Sequence, residues 1–364
     1  MEEFKNRYLR PGRKVTDQFL LASVITFAIL AIAELFLPIG SLLLGTFERL
    51  LGGDHDAAVF LEAYFSFISI WIGMFLVVLI FKINRPMLHA VKYCGSKDRG
   101  LNGNPAGNNG WGLLIGLALG FGTNGICILL SALLGDIHLS YSGFKLIPFL
   151  VFFISVFIQS AAEELANRWY LYQKLRRRYK SPWFAIIVNS LLFMAMHLAN
   201  PGITFLSLVQ LILVAVLLSL IVYYYNGLWI AMAFHAGWNF TQSIFFGLPN
   251  SGIVSAYSVF RLDAASATNG PFYNVNFGVE GSVGAGVILA VIIVIVILLN
   301  RGKTEHTDVW ADADREAVEK AAAREAAAKA RMEEMRQTRN AEDEKREAQR
   351  SEAQRSEVLK SEER

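Results

Sequence analysis

The chain alternates between long apolar runs and short polar connections. Stretches of about 20 apolar residues with few charges read as membrane helices. This pattern predicts eight segments, roughly 18–44, 61–82, 111–134, 146–174, 183–199, 203–225, 228–247 and 282–300. From Ser181 to Phe260 there is no Lys, Arg, Asp or Glu, and the ionisable residues of note are His197 and His235. Asn200-Pro201-Gly202 and Asn226-Gly227 break this stretch into three helices. The fold class expected is all-α: a polytopic transmembrane bundle of about eight spans, followed by a charged C-terminal tail that is helical or disordered.

Charge divides the chain. Of its Lys, Arg, Asp and Glu residues, 31 fall in the last 62 positions, so the average of 18% charged describes neither part. The body has too few charges to cover an aqueous surface, and the tail cannot build a core. We therefore divide the chain into a basic leader at 1–17, a transmembrane domain at 18–300 and a charged tail at 301–364. Two cysteines, Cys94 and Cys127, exclude a disulfide scaffold, and no bridge is expected between them.

The basic residues orient the bundle. Lys5, Arg7, Arg10, Arg13 and Lys14 precede the first segment. Lys82, Arg85, Lys92, Lys97 and Arg99 lie between the second and third, and Lys174, Arg176, Arg177, Arg178 and Lys180 between the fourth and fifth. If every segment spans, these three clusters share one side, which is then cytoplasmic, and both termini lie there. The first segment is too long for a cleavable signal peptide and lacks a small-residue cleavage pattern. The Gly- and Asn-rich loop 94–110 lacks the Gly-Lys-Ser/Thr ending of a phosphate loop and reads as a flexible linker.

The tail is rich in Ala, Glu, Lys and Arg, with Arg324-Glu325-Ala-Ala-Ala-Lys329 as a helix-forming centre. Glu325 and Lys329 form an i,i+4 pair of favourable order. Glu347-Ala-Gln-Arg-Ser and Glu352-Ala-Gln-Arg-Ser repeat in tandem, but no apolar heptad runs through the segment. A solvated single helix, partly disordered, is the simplest reading. The tail also offers a surface for a cytoplasmic protein.

Ionisable residues inside a span are costly, about 2.5–3.5 kcal/mol for a central Asp, Lys or Arg on insertion scales. Here they are Glu163, Glu164 and Arg168 in the fourth segment, His197 in the fifth, and His235 with Asn239 in the seventh. If the fourth segment runs to Arg176–Arg178, Glu163 lies ~20 Å from that border, His197 ~21 Å from Trp183, and His235 and Asn239 ~14 and ~20 Å from Asn226, at 1.5 Å per residue. Three helices then bring their polar groups to a similar depth, as one shared site requires. Glu164 and Arg168 are i,i+4 and can pair, leaving Glu163, about 100° around the helix, for the site.

Glu163-Glu164-Leu-Ala-Asn-Arg168 resembles the Glu-Glu-x-x-x-Arg motif of the CAAX protease and bacteriocin-processing (Abi) family of intramembrane proteases. Phe193-Met-Ala-Met-His197 resembles its Phe-x-x-x-His motif, and His235-Ala-Gly-Trp-Asn239, approached through Gly227-Leu-Trp229, its His-x-x-x-Asn motif. The three stand in order over about 145–245. The resemblance implies an eight-helix membrane endopeptidase that works without an acyl-enzyme. Glu163 and His197 would activate a water, His235 and Asn239 would donate hydrogen bonds to the oxyanion, and Glu164 and Arg168 would support the helix. It implies a substrate that is a membrane-associated peptide or protein, in some members a prenylated Cys-a-a-X protein. Nothing points to a nucleic-acid partner.

Each residue also has a plainer reading. Glu164 and Arg168 suit a structural ion pair, His197 a satisfied core histidine, and His235 and Asn239 interhelical glue. Trp169, Tyr170, Tyr172, Trp183, Tyr223, Tyr224 and Tyr225 suit an interfacial belt. Glu34, near Pro38, suits a side chain reaching out to the interface. His55, His89 and His138 are loop residues. Zinc is the closest rival chemistry, with Glu163, His197 and His235 as ligands and one position open. No His-Glu-x-x-His motif is present, so a cofactor-free hydrolase ranks first. A non-catalytic scaffold that sequesters a partner helix is the rival of another class.

Overall fold

The structure is a computed structural model. It describes residues 8–10, 14–93, 107–302, 308–311, 315, 318–320 and 322–340. The chain divides into two compact units, Met1–Val309 and Trp310–Arg364. Nearly all the regular structure is helical.

Helices occur at all eight predicted segments. Helix α1 spans Phe19–Phe36 and stops where Leu37, forced out of helical geometry by Pro38, takes φ −130° and ψ 62°. The remainder of that segment is a 3₁₀ turn and helix α2, Leu44–Leu50. The second segment is two helices, α3 (His55–Ser66) and α4 (Ile68–Ile80), meeting at Phe67. Then come α5 (Gly110–Leu133) and α6 (Leu146–Glu164). A π turn at Leu165–Leu171 leads from α6 into α7, Tyr172–Arg178. They are followed by α8 (Pro182–Met196), α9 (Phe205–Tyr225) and α10 (Leu228–Phe240), which runs into a second π turn at Thr241–Phe245. Helix α11 is Val283–Leu299. Asn226, in the left-handed region at φ 48°, ends α9 at the predicted break.

Five helical stretches among the described residues, two of them interrupted at Leu37 and Phe67, are long and apolar enough to cross a membrane: Phe19–Leu50, His55–Ile80, Gly110–Leu133, Leu146–Arg178 and Phe205–Tyr225. Pro182–Met196 and Val283–Leu299 are shorter apolar helices. The outer faces carry bare apolar side chains such as Leu20, Val24, Leu133 and Val291. Such a surface suits lipid and would be a liability in water.

The bundle's closest helix pair is α5 with α10. Gly112, Gly116 and Gly120 form a stripe at four-residue spacing along α5. A Cβ at Gly116 would run into Ile230 O, and one at Gly120 would overlap Phe234 O. Gly237 on α10 sits against Leu117 O in the same way. Small residues let the backbones touch, which is how helices associate when lipid removes the hydrophobic drive between them. This seam fixes α10, the carrier of His235 and Asn239. Beyond it, β1 (Leu139–Tyr141) and β2 (Phe260–Leu262) pair antiparallel, with Ser140 opposite Arg261.

At the opposite end the aromatic run after the first motif differs from expectation. Trp169, Tyr170 and Tyr172 are buried rather than interfacial. Neighbouring elements cover every face of residues 159–177; Trp169 packs on Phe75 with tilted rings 4.6 Å apart and donates from Nε1 to Met87 O at 2.6 Å. Tyr223 is also buried, whereas Trp183 stays on the outside at 43% exposure. Cys127 is buried and free, while Cys94 and the Glu347 and Glu352 repeats lie outside the described residues. In the second unit, residues 322–340 are helical and exposed, and Lys329 pairs with Glu325 at 2.8 Å.

Asp17 anchors the leader. It is fully buried, takes Arg177 Nε and Nη2 on its two oxygens at 2.5 and 2.6 Å, and lies 3.1 Å from Lys174 Nζ. Removing one partner of such a cluster strands buried charge, at a cost of about 3–5 kcal/mol. Asp17→Ala is therefore expected to destabilise the protein by that amount in equilibrium unfolding from mixed micelles. A change under about 1 kcal/mol would mean that water reaches the cluster.

Candidate active site

The first motif lies at the end of α6. Gln159, Ser160, Glu163 and Glu164 face inward here, and all are buried. The π turn begins one residue later. Such turns arise often at functional sites, because widening the helix re-aims side chains and frees backbone groups. Here the Asn167 side chain takes up the Glu163 carbonyl at 2.9 Å. α10 shows the same device after the third motif, where Thr241 Oγ1 donates to Gly237 O and Ser243 Oγ to Asn239 O, each at 2.6 Å.

The six residues singled out in the sequence converge. Arg168 and Glu164 pair as their spacing predicts, Nη1 to Oε1 at 2.9 Å, both wholly buried. The same Glu164 oxygen lies 2.9 Å from His235 Nδ1, a contact no spacing within one helix could reveal. A carboxylate only accepts, so His235 Nδ1 carries the proton. His197 is not inside α8 but caps it, at φ −99° and ψ 0°, the bridge region where many active-site residues sit. Its Nδ1 lies 2.8 Å from Phe193 O, so that nitrogen is also the donor.

Phe193 explains why the second motif begins with an aromatic. Its ring takes the Arg168 guanidinium at 4.5 Å, lies 4.7 Å from the His197 ring and meets the His235 ring edge-on at 5.9 Å. Among the described residues, Arg168 Nε and Nη2 have no hydrogen-bond partner, and this face is what they have instead.

With both Nδ1 atoms committed, the Nε2 atoms point at Glu163. His235 Nε2 is 3.8 Å and His197 Nε2 4.0 Å from Glu163 Oε2. That oxygen has no hydrogen-bond partner among the described residues. The other, Oε1, accepts from Gln159 Nε2 at 2.5 Å. Asn239 donates from Nδ2 to Gln159 Oε1 at 3.3 Å and to Ser160 Oγ at 3.1 Å, and accepts from Asn250 Nδ2 at 3.1 Å. Its amide protons are thus engaged, and binding an oxyanion would require it to release one of these partners.

These groups line a cavity of about 490 Å³, bounded also by Tyr64, Met196, Asn200 and Asn250. Glu34 lines it too, so its side chain faces the site and not only the interface. Sequence reasoning missed Gln159, Asn250 and Glu280. Gln159 carried a signal, being four residues before Glu163 on an apolar helix. Glu280 is buried just before α11 and accepts from Trp238 Nε1 at 3.1 Å and from the Ser251 N–H at 2.7 Å. Burial pushes its carboxyl above the usual range, while those two donors act the other way. His55 pairs with Glu48 and His138 with Ser266.

An unpartnered carboxylate oxygen thus faces two imidazoles at 3.8 and 4.0 Å inside an apolar bundle. Residues 145–241, from α6 into the π turn after α10, match the family model of type II CAAX prenyl endopeptidase Rce1-like proteins. Over those residues the chain is similar to an Rce1-like endopeptidase domain, which supports an intramembrane protease in general. No curated protein and no solved structure matches the chain.

The Glu164–Arg168 pair yields a test by double substitution. Arg168→Leu alone strands Glu164 and is expected to cost about 3–5 kcal/mol in unfolding. Adding Glu164→Gln to Arg168→Leu is expected to recover part of that loss. Additive costs in the two single variants and the double would contradict the pairing.

Proposed function

We propose that the protein is an integral membrane endopeptidase that hydrolyses a peptide bond at or within the membrane, with a water activated by Glu163 and His197. The carrying observation is the gap around Glu163 Oε2. Distances of 3.8 and 4.0 Å are too long for direct hydrogen bonds and short enough for one water to bridge. In their neutral forms both rings present an Nε2 lone pair, so three acceptors surround a water that has two protons. One further proton completes the set. Glu164, behind His235 Nδ1, supplies a countercharge for that proton on the His235 ring.

The division of labour follows. Glu163, helped by neutral His197, takes a proton from the water as it attacks the carbonyl, and returns that proton to the departing amine as the C–N bond breaks. The protonated His235 offers Nε2–H to the oxyanion, and Asn239 can join by releasing Ser160. Glu164 and Arg168 act through His235 and the helix rather than on the substrate. The substrate is a membrane-associated peptide or protein, and the protein is multi-pass in the cell membrane with both termini cytoplasmic. The charged tail offers a surface for a cytoplasmic protein.

The convergent Nε2 atoms, each backed by a tied Nδ1, favour a second reading with zinc held by Glu163, His197 and His235. Zinc bonds of about 2.0–2.1 Å in a tetrahedron put ligand atoms roughly 3.4 Å apart, closer than the spacings here. Among the described residues no group of three or more His, Cys, Asp or Glu meets metal-holding geometry. The residues fit a bridging water better, so no step is assigned to a metal.

Purified protein is expected to cleave a farnesylated Cys-a-a-X reporter peptide with 1,10-phenanthroline present. Glu163→Ala and His197→Ala should each lower kcat by about 10²–10⁴, and His235→Ala by about 10²–10³, while the variants stay folded and inserted. Loss of cleavage on chelation, restored by zinc, would install the metal reading. Full activity in both Glu163→Ala and His197→Ala would refute the mechanism.

A further inference from the structure

Glu280 lies outside the residues that match the family model, yet its carboxylate reaches the site. Four donors point at it. Oε1 accepts from Trp238 Nε1 and, at 3.3 Å, from Asn250 Nδ2, and Oε2 accepts from the N–H and hydroxyl of Ser251. Asn250 and Ser251 both line the cavity that holds Glu163. Next to them Gly252 takes φ +83°, and a Cβ there would overlap Pro201 O, so the turn has little room to shift on that side.

From Asn250 a chain of side-chain amides leads inward. Asn250 Nδ2 donates to Asn239 Oδ1, Asn239 Nδ2 to Gln159 Oε1, and Gln159 Nε2 to Glu163 Oε1. An amide has a donor end and an acceptor end, whereas an ionised carboxylate only accepts. The chain ends on a carboxylate on each side, so its polarity is set. Reversing any one amide would set oxygen against oxygen or N–H against N–H. Only Asn250 donates both ways, to Glu280 and toward Glu163.

We propose, on the protease reading above, that Glu280 is a positioning residue. It pins the 250–251 turn over the cavity and fixes the direction of the Asn250–Asn239–Gln159 chain, so that Gln159 holds Glu163 Oε1 and leaves Oε2 free for water. A polar chain of this kind rigidifies when every member is satisfied, and it loses that when one end changes sign. Glu280→Gln makes this change with little change in volume, by turning one acceptor into a donor that faces donors.

The test uses the full chain in lipid nanodiscs. Two readouts are needed, amide hydrogen exchange at Ser251 and steady-state cleavage of a farnesylated Cys-a-a-X reporter peptide. Glu280→Gln is expected to speed exchange at Ser251 and to lower kcat on the order of 10- to 100-fold, with KM within about twofold, the range typical of groups that orient a reacting shell. Asn250→Ala cuts the chain but spares the Ser251 bond. It should lower kcat similarly and leave Ser251 exchange as in wild type, and it also serves if Glu280→Gln does not fold. Unchanged Ser251 exchange in Glu280→Gln, or faster exchange with unchanged kcat, overturns the proposal. Wild-type protein that leaves the reporter uncut counts against the protease reading, and the exchange result then decides whether Glu280 pins the turn.

Discussion

Arg168 is wholly buried in an apolar bundle and cannot shed its charge at any ordinary pH, so its surroundings must answer it on the spot. The answer comes from two helices. Glu164, one turn earlier, supplies the countercharge, and Phe193 on α8 supplies a ring face. Because Glu164 also holds His235 from α10, the guanidinium joins all three motif helices, directly or through one intermediary. Burying an ion pair rarely increases stability over an apolar substitute. Its retention here is more economically explained by what it orients.

The orientation has chemical content. Glu164 and Phe193 O commit both Nδ1 atoms, so both Nε2 atoms face Glu163. Gln159 occupies one oxygen of Glu163 and leaves the other toward the cavity. The first π turn begins just after Glu164 and carries Arg168, the second follows the third motif, and side chains absorb the backbone groups those turns disturb. Close glycine packing between α5 and α10 holds the histidine-bearing helix in place. Apolar side chains around the bundle lower the polarity of the surroundings, which strengthens charge–dipole interactions at the site.

Much of this was legible in the sequence, because charge is rare in a membrane helix and therefore informative. Glu163, Glu164, Arg168, His197, His235 and Asn239 stood out against an apolar background, and the i,i+4 spacing pointed to the Glu164–Arg168 pair. The Glu164–His235 bond was not legible, because it depends on the mutual rotation of two helices. The burial of Trp169, Tyr170 and Tyr172 was hidden for a related reason, since it depends on neighbouring elements covering every face of residues 159–177. Pro38 ends α1 inside the segment predicted at 18–44, and nothing comparable marked the break at Phe67. Glu280 was missed because its partners, Trp238, Asn250 and Ser251, come from elsewhere in the chain.

A carboxylate beside a scissile bond can act as a base toward water or as a nucleophile in its own right. In the proposed mechanism Glu163 is a base. The most direct measurement is a single turnover of a cleavable reporter peptide in ¹⁸O water with enzyme in excess, followed by mass analysis of the new carboxyl group and of the peptide containing Glu163. Activated water predicts ¹⁸O in the product's new carboxyl on the first turnover and none in Glu163. Unlabelled product on that turnover, with ¹⁸O appearing in Glu163, would reveal an acyl-enzyme and contradict the mechanism.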